Sequence, residues 1–488
     1  MSEVLKISAN DKQEPAGEPE SEPQPQHESP SWLNRIRNAW QEIAGSMSGG
    51  VRPDLSSQSD IRNLREQMQS CLDALGGEVS ARARAASLGE TYLGLDSGGR
   101  ERFLQLMANS FELNEQTVAD AIRAYQTADD ESRPMAEILL REALEPKRVR
   151  LLTQFNALRQ GVKFLVDMRA DLLKIYRKDP HLTAFERDFR QLLASWFDIG
   201  FLELERISWD HPASLLEKLI AYEAVHRIRG WDDLRNRLES DRRCFAFFHP
   251  RMPDEPLIFV QVALVNGLSD NVHALLDKNA PITESETADT AIFYSISNAQ
   301  TGLGGISFGG FLIKRVVDLL KLEFPSLKTF ATLSPVPGLR RWLKESLTSG
   351  EFGLEETEIK SLKSIVEMDT PSADIERLLD SANWYRDEKV NEVLQPILKR
   401  AAAEYLACAK RKGGIRARDP VANFHLTNGA RIERLNWLAD TSRNGLKQSA
   451  GMMVNYLYDL EKIEANHEAY SVDGETVVSP SVKRLLKG

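Results

Sequence analysis

Cysteine is nearly missing from this chain. There are three in 488 residues, Cys71, Cys244 and Cys408, far apart and in no zinc or redox spacing. They give no support to a disulfide framework or a cysteine metal site, and they suit a reducing compartment. No apolar run approaches the ~20 residues of a membrane-spanning helix, so no membrane partner is expected. Basic excess is missing too: 62 lysines and arginines face 72 aspartates and glutamates, a net charge of −10. Nucleic-acid binding rests on a basic face that neutralises phosphates, and is not expected here. The chain does not start with a basic stretch and an apolar run, as a signal peptide would, and its acidic start is unlike an Arg-rich transit peptide. Its end, Arg484-Leu-Leu-Lys-Gly488, is not the Ser-Lys-Leu peroxisomal address. A cytoplasmic protein is expected.

The length exceeds what one core organises well, so two globular domains are expected, preceded by a tail. Residues 1–56 are rich in Pro, Glu, Gln and Ser and poor in apolar side chains. Such a composition does not offset its ordering entropy by burial, so disorder is expected. The exception is Trp32 to Ile43, where Leu33, Ile36 and Trp40 stand at helical spacing; it either docks on the body or a partner subunit, or forms a transient helix. Residues 57–192 read as helix after helix. The strongest is Leu151 to Tyr176, where Leu151, Phe155, Leu158, Val162, Leu165, Leu172 and Tyr176 keep steps of four and three, broken where Arg169 falls. No group of His, Cys or carboxylates gathers there, and a structural, oligomerising role is expected.

From 193 onward short strands alternate irregularly with helices, an α+β pattern. Cys244–His249 and Leu257–Leu264 read as antiparallel strands joined at Arg251–Pro256. Ala291–Ser297 and Lys328–Ser334 read as two more. Between these two lie a glycine-rich loop and a helix from Phe311 whose apolar stripe is Leu312, Val316 and Leu319. The first N–H groups of a helix lack partners and its dipole is positive there, so a glycine approach can seat a phosphate or oxyanion. A turn that merely needs glycine is the plain alternative. Ser334-Pro-Val-Pro-Gly338 is a rigid turn presenting a hydroxyl, but it is not the Gly-x-Ser-x-Gly elbow of a serine hydrolase. His425, between Phe424 and Leu426, is either a hydrogen-bonded structural residue or a catalyst. Gly451 to Ile463 reads as a final helix that buries Met453, Leu457 and Leu460 and carries Tyr456 and Tyr458.

Several of these stretches together resemble the malonyl-CoA decarboxylases: Phe293–Ser297 (FYSIS), Phe311–Val317 (FLIKRVV), Leu333–Gly338 (LSPVPG), Asp419–Arg431 (DPVANFHLTNGAR) and Gly451–Tyr458 (GMMVNYLY). Phe201–Arg206 (FLELER) and Glu223–His226 (EAVH) extend the resemblance, which runs in one order from about Leu193 to Tyr458. It implies an N-terminal all-α helical bundle domain, 57–192, followed by an acetyltransferase-like (GNAT) α/β catalytic domain, 193–488. It implies conversion of malonyl-CoA to acetyl-CoA and CO2 without metal or organic cofactor, in a homo-oligomer, dimer or tetramer, built through the helical domain. The family's catalytic serine and histidine fall on Ser334 and His425, and an active-site tyrosine on Tyr458. Its acyl-CoA-binding loop falls on Gly304, Gly305, Ile306, Ser307, Phe308, Gly309 and Gly310. Ser307 stands where animal members have glutamate, so an acidic role does not carry over.

The chemistry suits these residues. Losing CO2 from a β-carboxylate leaves a carbanion beside a thioester, delocalised as an enolate, so the substrate is its own electron sink. What remains for the protein is to bind the enolate oxygen, orient the carboxylate and protonate C2. Loop N–H groups are candidate oxyanion or phosphate donors. His425 is the candidate general acid, because imidazole titrates near operating pH. Ser334 is a candidate orienter and proton relay. Lys314, Arg315, Arg340 and Arg341 are candidates to meet the phosphates of CoA. Two alternatives bind the same ligand: an acyl-CoA-dependent N-acyltransferase, and a non-catalytic acyl-CoA-binding protein.

Overall fold

This computed structural model describes residues 52–73, 77–306, 312–367 and 370–487, together with Ile36, Trp40 and Ile43. The first half is helical, as expected: α1 (Gln58–Leu72), α2 (Gly77–Leu93), α3 (Ser97–Ser110), α4 (Glu115–Thr127), α5 (Arg133–Ala143), α6 (Lys147–Asn156), α7 (Gly161–Ile175) and α8 (Pro180–Trp196). Side-chain caps start several of them: Ser57, Asp96 and Asn114 accept from the amides of Asp60, Gly99 and Thr117. The division expected at 192/193 lies in the last turn of α8, which closes at Trp196.

Two expectations change here. The long seam from Leu151 to Tyr176 is two helices, not one, because Gln160 turns left-handed (φ 59°) ahead of Gly161. A Cβ on Gly161 would stand 1.7 Å from the Phe155 carbonyl oxygen, so only glycine lets the second helix fold back this tightly. Second, within the segment expected to be disordered, Ile36 and Trp40 are fully buried. The Trp40 indole donates to the Arg159 carbonyl at 3.0 Å and meets the Phe164 ring edge-on at 4.8 Å. Its ring lies over Gly89, where a Cβ would stand 2.1 Å away. For the Trp32 to Ile43 stretch, docking on the body is therefore what these residues do.

The second half is one mixed sheet with helices against it. Its strands are β1 (Glu203–Ile207), β2 (Arg242–Phe248), β3 (Ile258–Val265), β4 (Thr290–Asn298), β5 (Thr329–Thr332), β6 (Ser334–Pro335), β7 (Arg431–Asn436) and β8 (Met453–Leu457). The order is β1-β2-β3-β4-β5-β8-β6, with β7 also on β8. β1 to β4 run antiparallel, including the expected β2–β3 pair. β4 and β5 are parallel, and such a pair needs a crossover. The glycine loop and α9 (Leu312–Glu323) supply it. α9 buries Leu312, Ile313, Val316, Val317 and Leu320; Leu319, placed in the stripe by sequence, is 39% exposed. The helical half and the sheet share one hydrophobic cluster, from Ile36 and Trp40 through Val260 to Val482.

Gly451 to Ile463 is not a helix. Met453–Leu457 is β8, antiparallel to β5, β6 and β7. Met453, Val454, Asn455 and Tyr456 are all buried, as a strand covered on both faces requires. A short apolar run fits a buried strand and a buried helix equally well, which is why the period misled. No helix among the described residues is long and apolar enough to cross a membrane.

Candidate active site

The parallel pair opens the site. β5 ends at Thr332, and one residue later Ser334 begins β6, with Thr332 and Ser334 on the same face because a strand's side chains repeat every two residues. At the end of β8 the same period puts Tyr456 and Tyr458, the residue just after the strand, on one face. Opposite them stands α10 (Pro420–Thr427), which carries His425 in its last turn. Pro420 at its first position and Asp419 as its cap set the entry of this helix; the Asp419 carboxylate accepts from the Ala422 amide at 2.7 Å.

These elements bring the three expected residues together. Ser334 Oγ lies 3.1 Å from His425 Nε2, and His425 Nδ1 lies 2.7 Å from the Tyr458 hydroxyl. Ser334 donates to Thr332 Oγ1 at 2.8 Å, and Thr332 Oγ1 also accepts from the Tyr456 amide. A serine has one proton to give. With that proton on Thr332, the hydrogen between Ser334 and His425 belongs to Nε2. Nδ1 is then the acceptor for the Tyr458 hydroxyl. The imidazole stacks on the Tyr456 ring, centroids 4.5 Å apart. Phe424 meets it edge-on at 5.1 Å.

Burial sets the electrostatics. Desolvation alone pushes the His425 imidazole down to about 3. It also holds the Tyr458 phenol well above its ordinary value. Burial therefore favours the neutral imidazole, because nothing charged offsets its removal from water. Asp419, also buried, is pushed up to about 7.

Ser334 and His425 face a cavity of about 260 Å³. Phe293, Ser295, Asn298, Pro420 and Phe424 also line it, and among the described residues no cationic side chain does. Tyr458 is not in the lining; it stands behind the imidazole. β4 reaches the cavity through an irregularity. Gln261 pairs with Ser295 and Val262 with Phe293, so Tyr294 is one extra residue, a bulge of the kind that re-aims side chains at sites. Ser295 in turn is held by Glu223, whose carboxylate accepts from Ser295, Ser297, Gln261 and the amides of Val225 and His226. Sequence reading gave no role to Ser295, Asn298, Thr332, Tyr456 or Glu223. The first two had one signal, their position on the strand entering the glycine loop.

Of the expected loop, Gly304, Gly305 and Ile306 are described; Ser307, Phe308, Gly309 and Gly310 lie outside the described residues. The amides of Gly304 and Ile306 are bonded within a turn, to the carbonyls of Thr301 and Leu303. Gly304 and Gly305 do not line the Ser334 cavity but a second one. Three of the four expected phosphate cations, all but Arg341, have partners elsewhere. Lys314 pairs with Glu464, Arg315 donates to the Leu202 carbonyl, and Arg340 pairs with Glu376 and Asp380. Arg169, the break in the apolar seam, is 1% exposed and grips the loop from the helical half. It donates to the carbonyls of Gly302 (2.5 Å) and Gly304 (3.0 Å) and pairs with Glu186 (2.6 Å).

Comparison with known proteins now adds to the geometry. Residues 200–488 match the family model for the malonyl-CoA decarboxylase C-terminal domain, and 111–197 that for the malonyl-CoA decarboxylase N-terminal domain. The mitochondrial malonyl-CoA decarboxylase of Anser anser anser is 37% identical over 409 residues, which cover 80% of each chain. The crystal structure of malonyl-CoA decarboxylase from Rhodopseudomonas palustris superimposes with a TM-score of 0.79 at 42% identity, covering 87% of this chain and 99% of that one. The Agrobacterium vitis malonyl-CoA decarboxylase gives 0.78 at 43% identity, with the same coverage.

Proposed function

The chain belongs to the malonyl-CoA decarboxylase family, a carboxy-lyase acting on malonyl-CoA, and from that premise we propose that Ser334 and His425 deliver the proton that replaces CO2, with Tyr458 positioning the imidazole. The observation that carries this is the 3.1 Å approach of Ser334 Oγ and His425 Nε2 at the wall of one cavity.

Malonyl-CoA enters with a carboxylate, and the described lining offers it neutral donors but no cation. That negative charge favours the protonated imidazole, against the burial that disfavours it. Substrate binding thus draws a solvent proton onto His425. The bond between C2 and the carboxyl carbon then breaks, its electron pair passes into the thioester carbonyl, and CO2 leaves. Ser334 gives its hydroxyl proton to C2 and takes one from His425 Nε2. Imidazolium returns to imidazole, the form the buried site favours, so the transfer runs downhill. Atoms and charge balance: one malonyl-CoA and one proton give one acetyl-CoA and one CO2. A positioned acid of this kind contributes about 10²–10⁴-fold in rate. In D2O, the wild type should release acetyl-CoA and CO2 in equal amounts, one deuterium in each new methyl group; acetyl-CoA without deuterium would defeat the proton assignment.

The remaining parts of the proposal concern organisation. Residues 57–192 and 193–488 act as helical and catalytic domains, and the helical one carries self-association. In its support, α4 buries no residue and α5 only Ala136, while Ile122, Met135, Ile138 and Leu139 are exposed. Ile138→Asp with Leu139→Asp should lower the mass measured by light scattering; an unchanged mass would remove this hairpin from the interface. A cytoplasmic location is supported by three unpaired cysteines and is tested by cell fractionation.

A further inference from the structure

A serine and a histidine in contact beside a thioester are, in many enzymes, the machinery of acyl transfer. There the histidine takes the serine's proton at Nε2, because a carboxylate holds the other ring nitrogen as a donor, and the serine attacks the carbonyl. A site that turns over a thioester without cleaving it has to shut that reaction out.

Here the hydrogen bonds run the other way. Thr332 is fully buried at the end of β5. Its Oγ1 accepts from the Ser334 hydroxyl at 2.8 Å and from the Tyr456 amide at 3.2 Å. Both lone pairs of that oxygen are thereby used, and the serine's one proton is drawn away from the ring. His425 Nε2, 3.1 Å from Ser334 Oγ, is left as the donor. A neutral imidazole, the form that burial favours, has one N–H. Nδ1 is then bare, and the Tyr458 hydroxyl donates to it at 2.7 Å. No charged group among the described residues acts on the ring, so the carboxylate of a hydrolase has no counterpart. Donation runs in one direction, from Tyr458 through His425 and Ser334 to Thr332.

The backbone supports the same conclusion. In a serine hydrolase of the elbow type, the residue after the nucleophile gives its N–H to the oxyanion. Here that residue is Pro335, which has no N–H to give. Thr332 is also firmly placed. Its carbonyl accepts from the Asn455 side-chain amide at 2.7 Å, and the same amide donates to the Ser269 carbonyl at 3.0 Å. Two neighbouring residues of β8, Asn455 and Tyr456, thus hold the threonine that holds the serine.

We propose that Thr332 is a specificity-determining residue: by taking the Ser334 proton it keeps Ser334 and His425 from acting as nucleophile and base, so the site protonates carbon and leaves the thioester whole. This rests on the decarboxylase reading and deepens it. The excluded step would join Ser334 Oγ to the thioester carbonyl carbon and move the serine proton to Nε2. The carbon–sulfur bond would then break, the thiol would leave with that proton, and water would free the acid from the serine ester. The step needs a serine proton aimed at a bare Nε2, and Thr332 removes both conditions. Protonation of C2 is not barred in this way, because a carbanion is a far stronger acceptor than a threonine hydroxyl and draws the proton from it.

Thr332→Val keeps the side chain's shape and loses the acceptor; Thr332→Ser keeps the acceptor. Nitrogen-15 NMR of labelled histidine in the free protein identifies the tautomer, with the His425 signals assigned by their loss in His425→Asn. Wild type and Thr332→Ser should carry the proton on Nε2, and Thr332→Val on Nδ1. A wild-type ring protonated on Nδ1 overturns the proposal, and this result needs no variant to fold. The small activated ester p-nitrophenyl acetate should acetylate Ser334 at least about tenfold faster in Thr332→Val than in the wild type. The reaction is read as nitrophenol release and as acetyl on the Ser334 peptide by mass spectrometry, with Thr332→Val/Ser334→Ala correcting for other sites. Thr332→Ser should stay at the wild-type rate. Equal acetylation in Thr332→Val and wild type, or a serine variant that behaves like the valine one, overturns the proposal. Neither measurement uses malonyl-CoA, so a failure here is distinct from a failure of the decarboxylase reading, which would show as no acetyl-CoA from the wild type.

Discussion

The helices before Trp196 and the sheet after Glu203 share a core but bury different things. In the helical half the buried polar side chains among the described residues are Asp60, Ser87, Arg148, Lys163 and Arg169; everything else there is apolar. The sheet half buries polar groups in connected strings. One runs Thr332–Ser334–His425–Tyr458 and another joins Glu223 to Ser295, Ser297 and Gln261. An apolar interior needs volume and pattern, and tolerates exchange of similar shapes. A polar string needs every partner in place, because a missing one leaves a buried group unsatisfied. The two halves should therefore fail differently when altered. Arg169 is the exception that ties them, a helical residue whose partners belong to the glycine loop.

The largest expected effect is in the polar string. Ser334→Ala should lower turnover at least about 100-fold while the protein stays folded; turnover near that of the wild type would take the sheet's string out of the mechanism. Next is the tie between halves. Arg169→Met leaves Glu186 buried without its partner and two loop carbonyls without donors, which should cost about 3–5 kcal/mol in urea unfolding. Adding Glu186→Gln should restore part of that loss, whereas additive losses would mean that the pair is not the reason. A smaller effect concerns Asp419. Its carboxyl is pushed up to about 7 in the fold from an ordinary 3.8. Between those values the native state binds more protons than the unfolded one, so its contribution to stability falls as pH rises through 7. Asp419→Asn keeps the cap and removes the titration. Thermal melts should then show the wild type losing more Tm than the variant between pH 6 and pH 8; equal losses would deny the shift. The smallest effect should be Leu165→Met, at a fully buried helical position: under about 1.5 kcal/mol, with kcat unchanged. A large loss of kcat there would erase the contrast between the halves.

Much of this was legible in the sequence because it is local. The strands at Cys244, Leu257, Ala291 and Lys328 show themselves by composition, and the turn at Ser334-Pro-Val-Pro by its prolines. Ser334, His425 and Tyr458 were found through their motifs, and geometry joins them across 91 and 33 positions. What escaped depends on distant partners. β8 reads as a helix in the sequence because over five residues a buried strand and a buried helix look alike. Its Tyr456 and Tyr458 share a face only at period two. Trp40 sits in a polar tail, and the Gly89 surface that accepts it is invisible until α2 is folded. Thr332, Ser295 and Glu223 are ordinary residues whose meaning lies in what they hold. Arg169 did leave a trace, a cation in an apolar seam, but nothing local says that its partners are carbonyls 133 and 135 positions away.

The central claim is that the Ser334–His425 pair carries the proton. It is tested most directly by following acetyl-CoA and CO2 together from malonyl-CoA, with no acceptor added, for the wild type and His425→Asn. The predicted result is equal amounts of both products from the wild type. The folded variant should still bind malonyl-CoA but release CO2 at least about 100-fold more slowly. A variant within a few-fold of the wild-type rate would contradict the account.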